Sequence, residues 1–169
     1  MPLRKRWILL GLVLVWGVLP EWPRIPVEGA SARDWNPQTF WFEPWGRSGV
    51  HKGIDLFAKL GTPVRATSYG VVLYRGEIQQ GGKVVLVLSP KWRLHYYAHL
   101  HSIDVYPGQP LLTGSLLGSV GDTGNARGKP AHLHYSIVSL LPLPWRADDS
   151  TQGWKKMFYL DPNAILPTR

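Results

Sequence analysis

The 169-residue chain contains no cysteine. That absence excludes thiolate nucleophiles, disulfides, lipid-modified cysteine and every zinc site built on sulfur. Any metal must be held by His, Asp or Glu. Acidic residues are scarce: 11 Asp and Glu stand against 19 Lys and Arg, for a formal net charge of +8. Such a balance favours anionic partners, among them nucleic acid, a membrane surface or an acidic wall polymer. The basic residues are scattered and no nucleic-acid-binding motif is present, so a nucleic-acid partner is not expected. No segment carries a long helical period, and there is no internal repeat or low-complexity tract. The length suffices for one domain with a sizeable core and some extra chain at an end.

The longest apolar run is itself short. "WILLGLVLVWGVL", Trp7 to Leu19, follows a basic "MPLRKR". It falls below the roughly 17–25 residues of a membrane span and fits a signal-peptide core better. The small-residue stretch "ASA", Ala30 to Ala32, is a candidate cleavage site, although it lies well beyond Glu21 and Arg24. The alternative is an uncleaved anchor extended through Pro20 to Trp22, held at the interface by Trp16 and Trp22, with its N-terminus in the cytoplasm. Residues 1–32 are therefore read as signal or anchor plus linker, and residues 33–169 as the functional domain. Both alternatives predict export to the cell envelope, on the periplasmic or wall side.

What the chain does have is short strand signals. "TPVRA", "GVVLYRG", "KVVLVLS", "RLHYYAHL", "LLGSVG" and "HLHYSIV" are separated by Gly, Pro and Asp turns. The predicted class is all-β, mainly antiparallel, behind the apolar N-terminal segment. A further short strand is expected at Thr39 to Phe42, and a helical turn within "WKKMFYLDPNAIL" near the end.

All six histidines lie between His51 and His134. In "PAHLHYS" the strand period puts His132 and His134 on one face, with Leu133 and Tyr135 on the other. Two imidazoles side by side are costly to bury without a partner and make a good start to a metal site. "HKGID" adds His51 and Asp55. Hydrolytic zinc sites commonly use three N or O protein ligands and keep a fourth position open. His51, Asp55 and one member of the "HLH" pair could supply that set and leave a residual positive charge that acidifies water. By the same alternation, His95, Tyr97, His99 and His101 of "HYYAHLH" are expected on one face. An imidazole titrates near operating pH, which suits acid–base work beside such a site, but spacing does not choose among His95, His99 and His101.

Taken together, "GVHKGIDLFAKLGTPVRATSYGVV", "YYAHL" and "GDTGNARGKPAHLHYSI" resemble the LytM/lysostaphin-type zinc metallopeptidases, peptidase family M23. The likeness runs from about Gly46 to Val138, and "YLDPNAIL" is similar to the family's usual ending. The resemblance implies a LytM/lysostaphin-like β domain holding one Zn2+ through His51, Asp55 and His134. It implies His99 and His132 as catalytic histidines, and peptidoglycan peptides as substrate. His95 and His101 receive no role from it and are read as rim or supporting residues.

Two departures stand out. Many relatives read "HLHFE" where this chain has "HLHYS", so Ser136 replaces an acidic residue. The tyrosine that some members place upstream of the first metal histidine is absent from "FWFEPWGRSG", where Arg47 is a candidate substitute. Asn125, Arg127 and Lys129, in the loop before "HLH", are candidates to line a groove. The function implied is a zinc endopeptidase acting on cross-links or stem peptides. The alternative is a non-catalytic LytM-like domain that binds the wall or regulates another hydrolase; such domains usually lack a ligand, and here none is missing. An uncleaved leader would add the inner membrane as a partner. "VYPGQPLLTGSLLGSVGDTG" resembles a biotinyl or lipoyl strand pattern, but it carries no lysine to modify.

Overall fold

The computed structural model describes residues 3–168. A helix, α1 (Leu3–Val18), precedes ten strands: β1 (Ile54–Phe57), β2 (Pro63–Arg65), β3 (Gly70–Ile78), β4 (Gly82–Ser89), β5 (Arg93–Leu100), β6 (Ser102–Ile103), β7 (Pro110–Leu111), β8 (Leu116–Ser119), β9 (His132–Ser139) and β10 (Tyr159–Leu160). Every strand pairing is antiparallel. The larger sheet runs β1-β9-β5-β4-β3-β7, with β10 also on β9, and the smaller runs β2-β8-β6. All six strand signals in the sequence fall on strands. The class is all-β and mainly antiparallel, as expected.

The two sheets share one core. Val85, Val87, Tyr97, Leu133, Tyr135 and Ile137 of the large sheet pack with Val64 and Leu117 of the small one, and all are buried. Each such side chain contributes about 1.5–3 kcal/mol by leaving water. The pairing register fixes what the other face carries. Asp55 stands opposite His134, Phe57 opposite His132, and Ala98 opposite His134 from the other side. Because side chains alternate, the residues between the core positions of β1, β5 and β9 form the floor of a cleft.

Three expectations are corrected. Thr39 to Phe42 is not a strand: Pro37–Thr39 is a 3-10 turn, where Asn36 Oδ1 accepts from the Gln38 N–H at 3.0 Å. Proline presets this turn and cannot donate to a ladder, and Asn36 caps it. Second, His95 and His99 do not share a face. The β4–β5 register passes from Val85↔Tyr97 to Lys83↔Leu100, so β5 holds one extra residue there, and His99 takes a φ of 63°. This bulge turns His99 to the cleft side, next to Ala98, while His95 and Tyr97 stay on the core side. Third, His101 is exposed and does not line the cleft. The helical turn expected near the end is present as two 3-10 turns, Gly153–Met157 and Pro162–Ala164, which flank β10.

The segment after α1 lies against the domain. Arg24 N–H donates to Thr67 O (2.9 Å), Arg65 N–H to Pro26 O (2.7 Å) and Glu28 N–H to Pro63 O (3.0 Å), and Val27 is part of the core. The Glu21 side chain is 4% exposed. Its Oε2 receives Arg93 Nη1 at 2.8 Å and its Oε1 receives Ser89 Oγ at 2.5 Å. His95 completes this network, with Nε2 2.9 Å from Ser89 Oγ and Nδ1 2.6 Å from Tyr135 Oη. Burial lowers the pKa of His95, partly opposed by Glu21. Among the described residues, no helix is long and apolar enough to cross a membrane.

Candidate active site

His51, Asp55 and His134 converge from three directions. His51 follows the tight turn at Gly46–Ser48, Asp55 stands on β1 and His134 on β9. Asp55 Oδ1 lies 3.1 Å from His51 Nε2 and 2.8 Å from His134 Nδ1, and the two ring nitrogens are 3.0 Å apart. The other nitrogen of each ring is occupied. His51 Nδ1 lies 3.0 Å from Thr39 O and His134 Nε2 lies 3.0 Å from Ser136 Oγ. A backbone carbonyl only accepts, so His51 Nδ1 carries the proton there and its Nε2 lone pair faces Asp55. With the Ser136 hydroxyl as acceptor of His134 Nε2–H, Nδ1 is left as the acceptor of that ring.

Two ring lone pairs and a carboxylate oxygen crowded this closely repel one another unless a cation sits among them. The donor set, two imidazoles and one carboxylate, fits a divalent metal of the zinc type. When no cation is bound those ring nitrogens donate to Asp55 instead: burial would raise its carboxyl, but hydrogen bonds from His134 and then His51 outweigh burial and hold the group far below the usual carboxylate range. Burial pushes His134 down, with Asp55 opposing.

Two local features fix this geometry. The Trp45 ring stacks on His51, with centroids 4.0 Å apart at 23°. At Gly53, between His51 and Asp55, a Cβ would collide with the Tyr135 carbonyl and Ser136 Oγ, so the chain reaches β9 closely enough only as glycine.

His99 and His132 stand beside the three, with ring centroids 5.0 Å apart. Each has Nδ1 held by a carbonyl, Thr123 O for His99 and Pro130 O for His132, both at 2.8 Å. Each therefore keeps Nε2 as a proton acceptor. Burial, reinforced by His134 and His132, pushes His99 down to about 4. All five residues line one cavity of about 820 Å³, which Tyr96, Phe57 and Tyr159 also border. Arg47, Asn125 and Lys129 line it as well, whereas Arg127 does not. The sequence reading missed Trp45, the carbonyls of Thr39 and Thr123, and the part Ser136 plays in holding His134.

A β-sheet floor that brings a His–Asp–His ligand set beside two further imidazoles defines the class of protein, a metallohydrolase of the peptidase type. Residues 49–142 match the profile of Peptidase family M23, more than half of the chain, and the chain belongs to this family. It is 35% identical over 113 residues to the L-Ala–D-Glu endopeptidase of Bacillus subtilis, covering 62% of this chain and 35% of that protein. It is 33% identical over 89 residues to lysostaphin of Staphylococcus simulans, covering 52% of this chain and 18% of that one. The chain thus spans about a third or less of these relatives' length. Among solved structures, the catalytic domain of S. simulans lysostaphin superposes with a TM-score of 0.56 at 26% identity, over 72% of this chain and 84% of that one. A zinc-containing peptidase from Vibrio cholerae superposes with a TM-score of 0.57 at 25% identity, over 70% and 36% of the two chains.

Proposed function

We propose that the protein is a zinc-dependent endopeptidase that hydrolyses cross-links or stem peptides of bacterial peptidoglycan in the cell envelope. One observation carries the reading: three acceptor atoms within 3.1 Å of one another, beside two imidazoles with unengaged Nε2 atoms, in one open cavity. The relatives support the substrate class, since they include an L-Ala–D-Glu endopeptidase and a glycyl-glycine endopeptidase. The basic n-region and apolar run support export, with α1 as the part that would meet the inner membrane.

His51 Nε2, Asp55 Oδ1 and His134 Nδ1 would hold one Zn2+, which supplies positive charge to acidify water and polarise the scissile carbonyl. His99 Nε2, buried and neutral, orients an attacking water and takes its proton. His132, held by the Pro130 carbonyl, is oriented to hydrogen-bond the carbonyl oxygen as charge develops there, through an Nε2 proton taken from solvent before the attack and returned to it afterwards. The proton taken up by an imidazole is then returned to the leaving amine, so that the protonation state is restored at the end of a turnover. Tyr96 and Phe57 narrow the cavity around the ligand set.

The test is digestion of purified sacculi by the zinc-loaded chain, with His132→Ala as control, read by mass spectrometry of the released muropeptides. Conversion of cross-linked dimers to monomers, or of stems to shorter peptides, by the wild type and not the variant is the expected result. A folded, zinc-loaded protein that releases nothing from sacculi of several chemistries would overturn the reading.

A further inference from the structure

The cleft carries cations that the ligand set does not use. Its lining includes one carboxylate, Asp55, already engaged by His51 and His134. Three cations border the same space: Arg47, Lys52 and Lys129. Lys52 is committed, since its Nζ donates to Ser48 O at 2.9 Å and Val50 O at 3.3 Å. Arg47 and Lys129 differ. Among the described residues neither has a carboxylate within ion-pair distance, whereas Arg65, Arg93 and Lys156 are each paired.

Both sit on firmly held backbone. The Arg47 turn is closed by Trp45 N–H to Gly49 O at 2.8 Å and Ser48 Oγ to Trp45 O at 2.8 Å. It is pinned from outside by Gln152 Nε2 to Ser48 O at 2.9 Å. Lys129 lies in the loop between β8 and β9, where Asn125 N–H donates to Gln80 O and Lys129 N–H to Ala126 O, each at 2.9 Å. A second, smaller cavity of about 370 Å³, lined by Arg47, Gln79, Gln80, Gly124 and Asn125, shares Arg47, Gln80 and Asn125 with the cleft. A guanidinium and two carboxamides therefore stand on the border between the two.

We infer that this cleft selects peptides with a free carboxylate close to the scissile bond, bound by Arg47 and assisted by Lys129, and so takes acidic stem peptides in preference to glycine bridges. This deepens the peptidase reading and rests on it for the cleavage step. A guanidinium presents a planar pair of donors that matches a carboxylate, and such charge-assisted bonds are about twice as strong as neutral ones. A glycine bridge offers amides alone and would leave both cations without a counter-charge. The net charge of +8 favours the same anionic substrate at longer range.

The experiment is calorimetric titration of the zinc-loaded full-length His132→Ala chain with three synthetic peptides of equal length: one with an acidic residue beside the scissile position, its carboxamide counterpart, and an oligoglycine. The carboxylate peptide is expected to bind about tenfold more tightly than the carboxamide. That preference should vanish in chains that also carry Arg47→Ala and Lys129→Ala, with unchanged melting temperature, and should return in part with Arg47→Lys. Equal affinity for carboxylate and carboxamide, or a preference for oligoglycine, overturns the inference. Cleavage of the same peptides by the wild type is read in parallel. Preferential binding without cleavage sustains the selectivity and sinks the peptidase reading; cleavage without preferential binding does the reverse.

Discussion

His95 and His99 stand four residues apart on one strand and face opposite sides of the sheet. His95 is sealed in the back with Ser89 and Tyr135; His99 opens to the cleft with its Nδ1 on Thr123 O. The bulge at His99, with φ 63°, separates the two roles. Left-handed backbone costs an ordinary residue about 1–2 kcal/mol, more so when the side chain is β-branched. On the proposed role of His99 as general base, His99→Gly and His99→Val should both lower peptidoglycan hydrolysis by about 10²–10⁴-fold. Only the valine variant should melt markedly earlier than the glycine variant, which chemical denaturation of both will show.

The ligand set predicts a graded response to substitution. His51→Ala, Asp55→Ala and His134→Ala should each abolish stoichiometric zinc in elemental analysis of the purified protein. Ser136→Ala leaves all three in place but removes the hydroxyl that holds the His134 ring at Nε2. Loss of such a supporting bond typically weakens metal binding about 10–100-fold, measurable by competition with a chromogenic chelator. An unchanged affinity would mean that Ser136 plays no part in holding the ring.

Stability of the chelated protein should fall between pH 6.5 and about 4. His99 titrates near 6.5 when unfolded and near 4 when folded. In that window the unfolded chain binds the extra proton and the folded chain does not, so stability rises with pH. Burial lowers His134 and His95 in the same sense. His99→Asn, which tolerates the left-handed backbone, should flatten the slope while the fold stays intact. Urea melts at half-unit pH steps will test this.

Glu21 predicts a stability effect far from the cleft. Its carboxylate faces Arg93, Ser89 and His95 in a nearly dry pocket. Removing one partner of a buried charge pair leaves the other uncompensated and costs about 3–5 kcal/mol. Glu21→Ala should therefore lower the melting temperature strongly and activity per folded molecule little. An equal melting temperature for Glu21→Ala and wild type would show that the pocket admits water.

The fold was legible where strands were long enough to show their period. β3, β4, β5 and β9 each run eight residues or more with apolar positions that mark the core side. β6, β7 and β10 have two residues each, too few to carry any alternation, and their places follow from tertiary pairing alone. The five histidine and aspartate positions stand together as their motifs suggested. Strict alternation failed at His99 because one inserted residue reverses every face beyond it. The carbonyls that hold His51, His99 and His132 belong to Thr39, Thr123 and Pro130, and a backbone oxygen leaves no mark in a sequence. Trp45 and Arg47 lay in an aromatic, proline-rich stretch without period, and only the folded turn shows which side each presents.

The docking of residues 20–28 has a mechanical consequence. α1 ends at Val18, Trp16 Nε1 already donates to Ser89 O at 2.9 Å, and Tyr69 Oη donates to Pro20 O at 2.7 Å. Only Leu19 and Pro20 intervene before Glu21 is buried. The catalytic cleft hangs on no leash: whatever grips the helix also sets the height and bearing of the cleft, and its working radius is that of the domain itself.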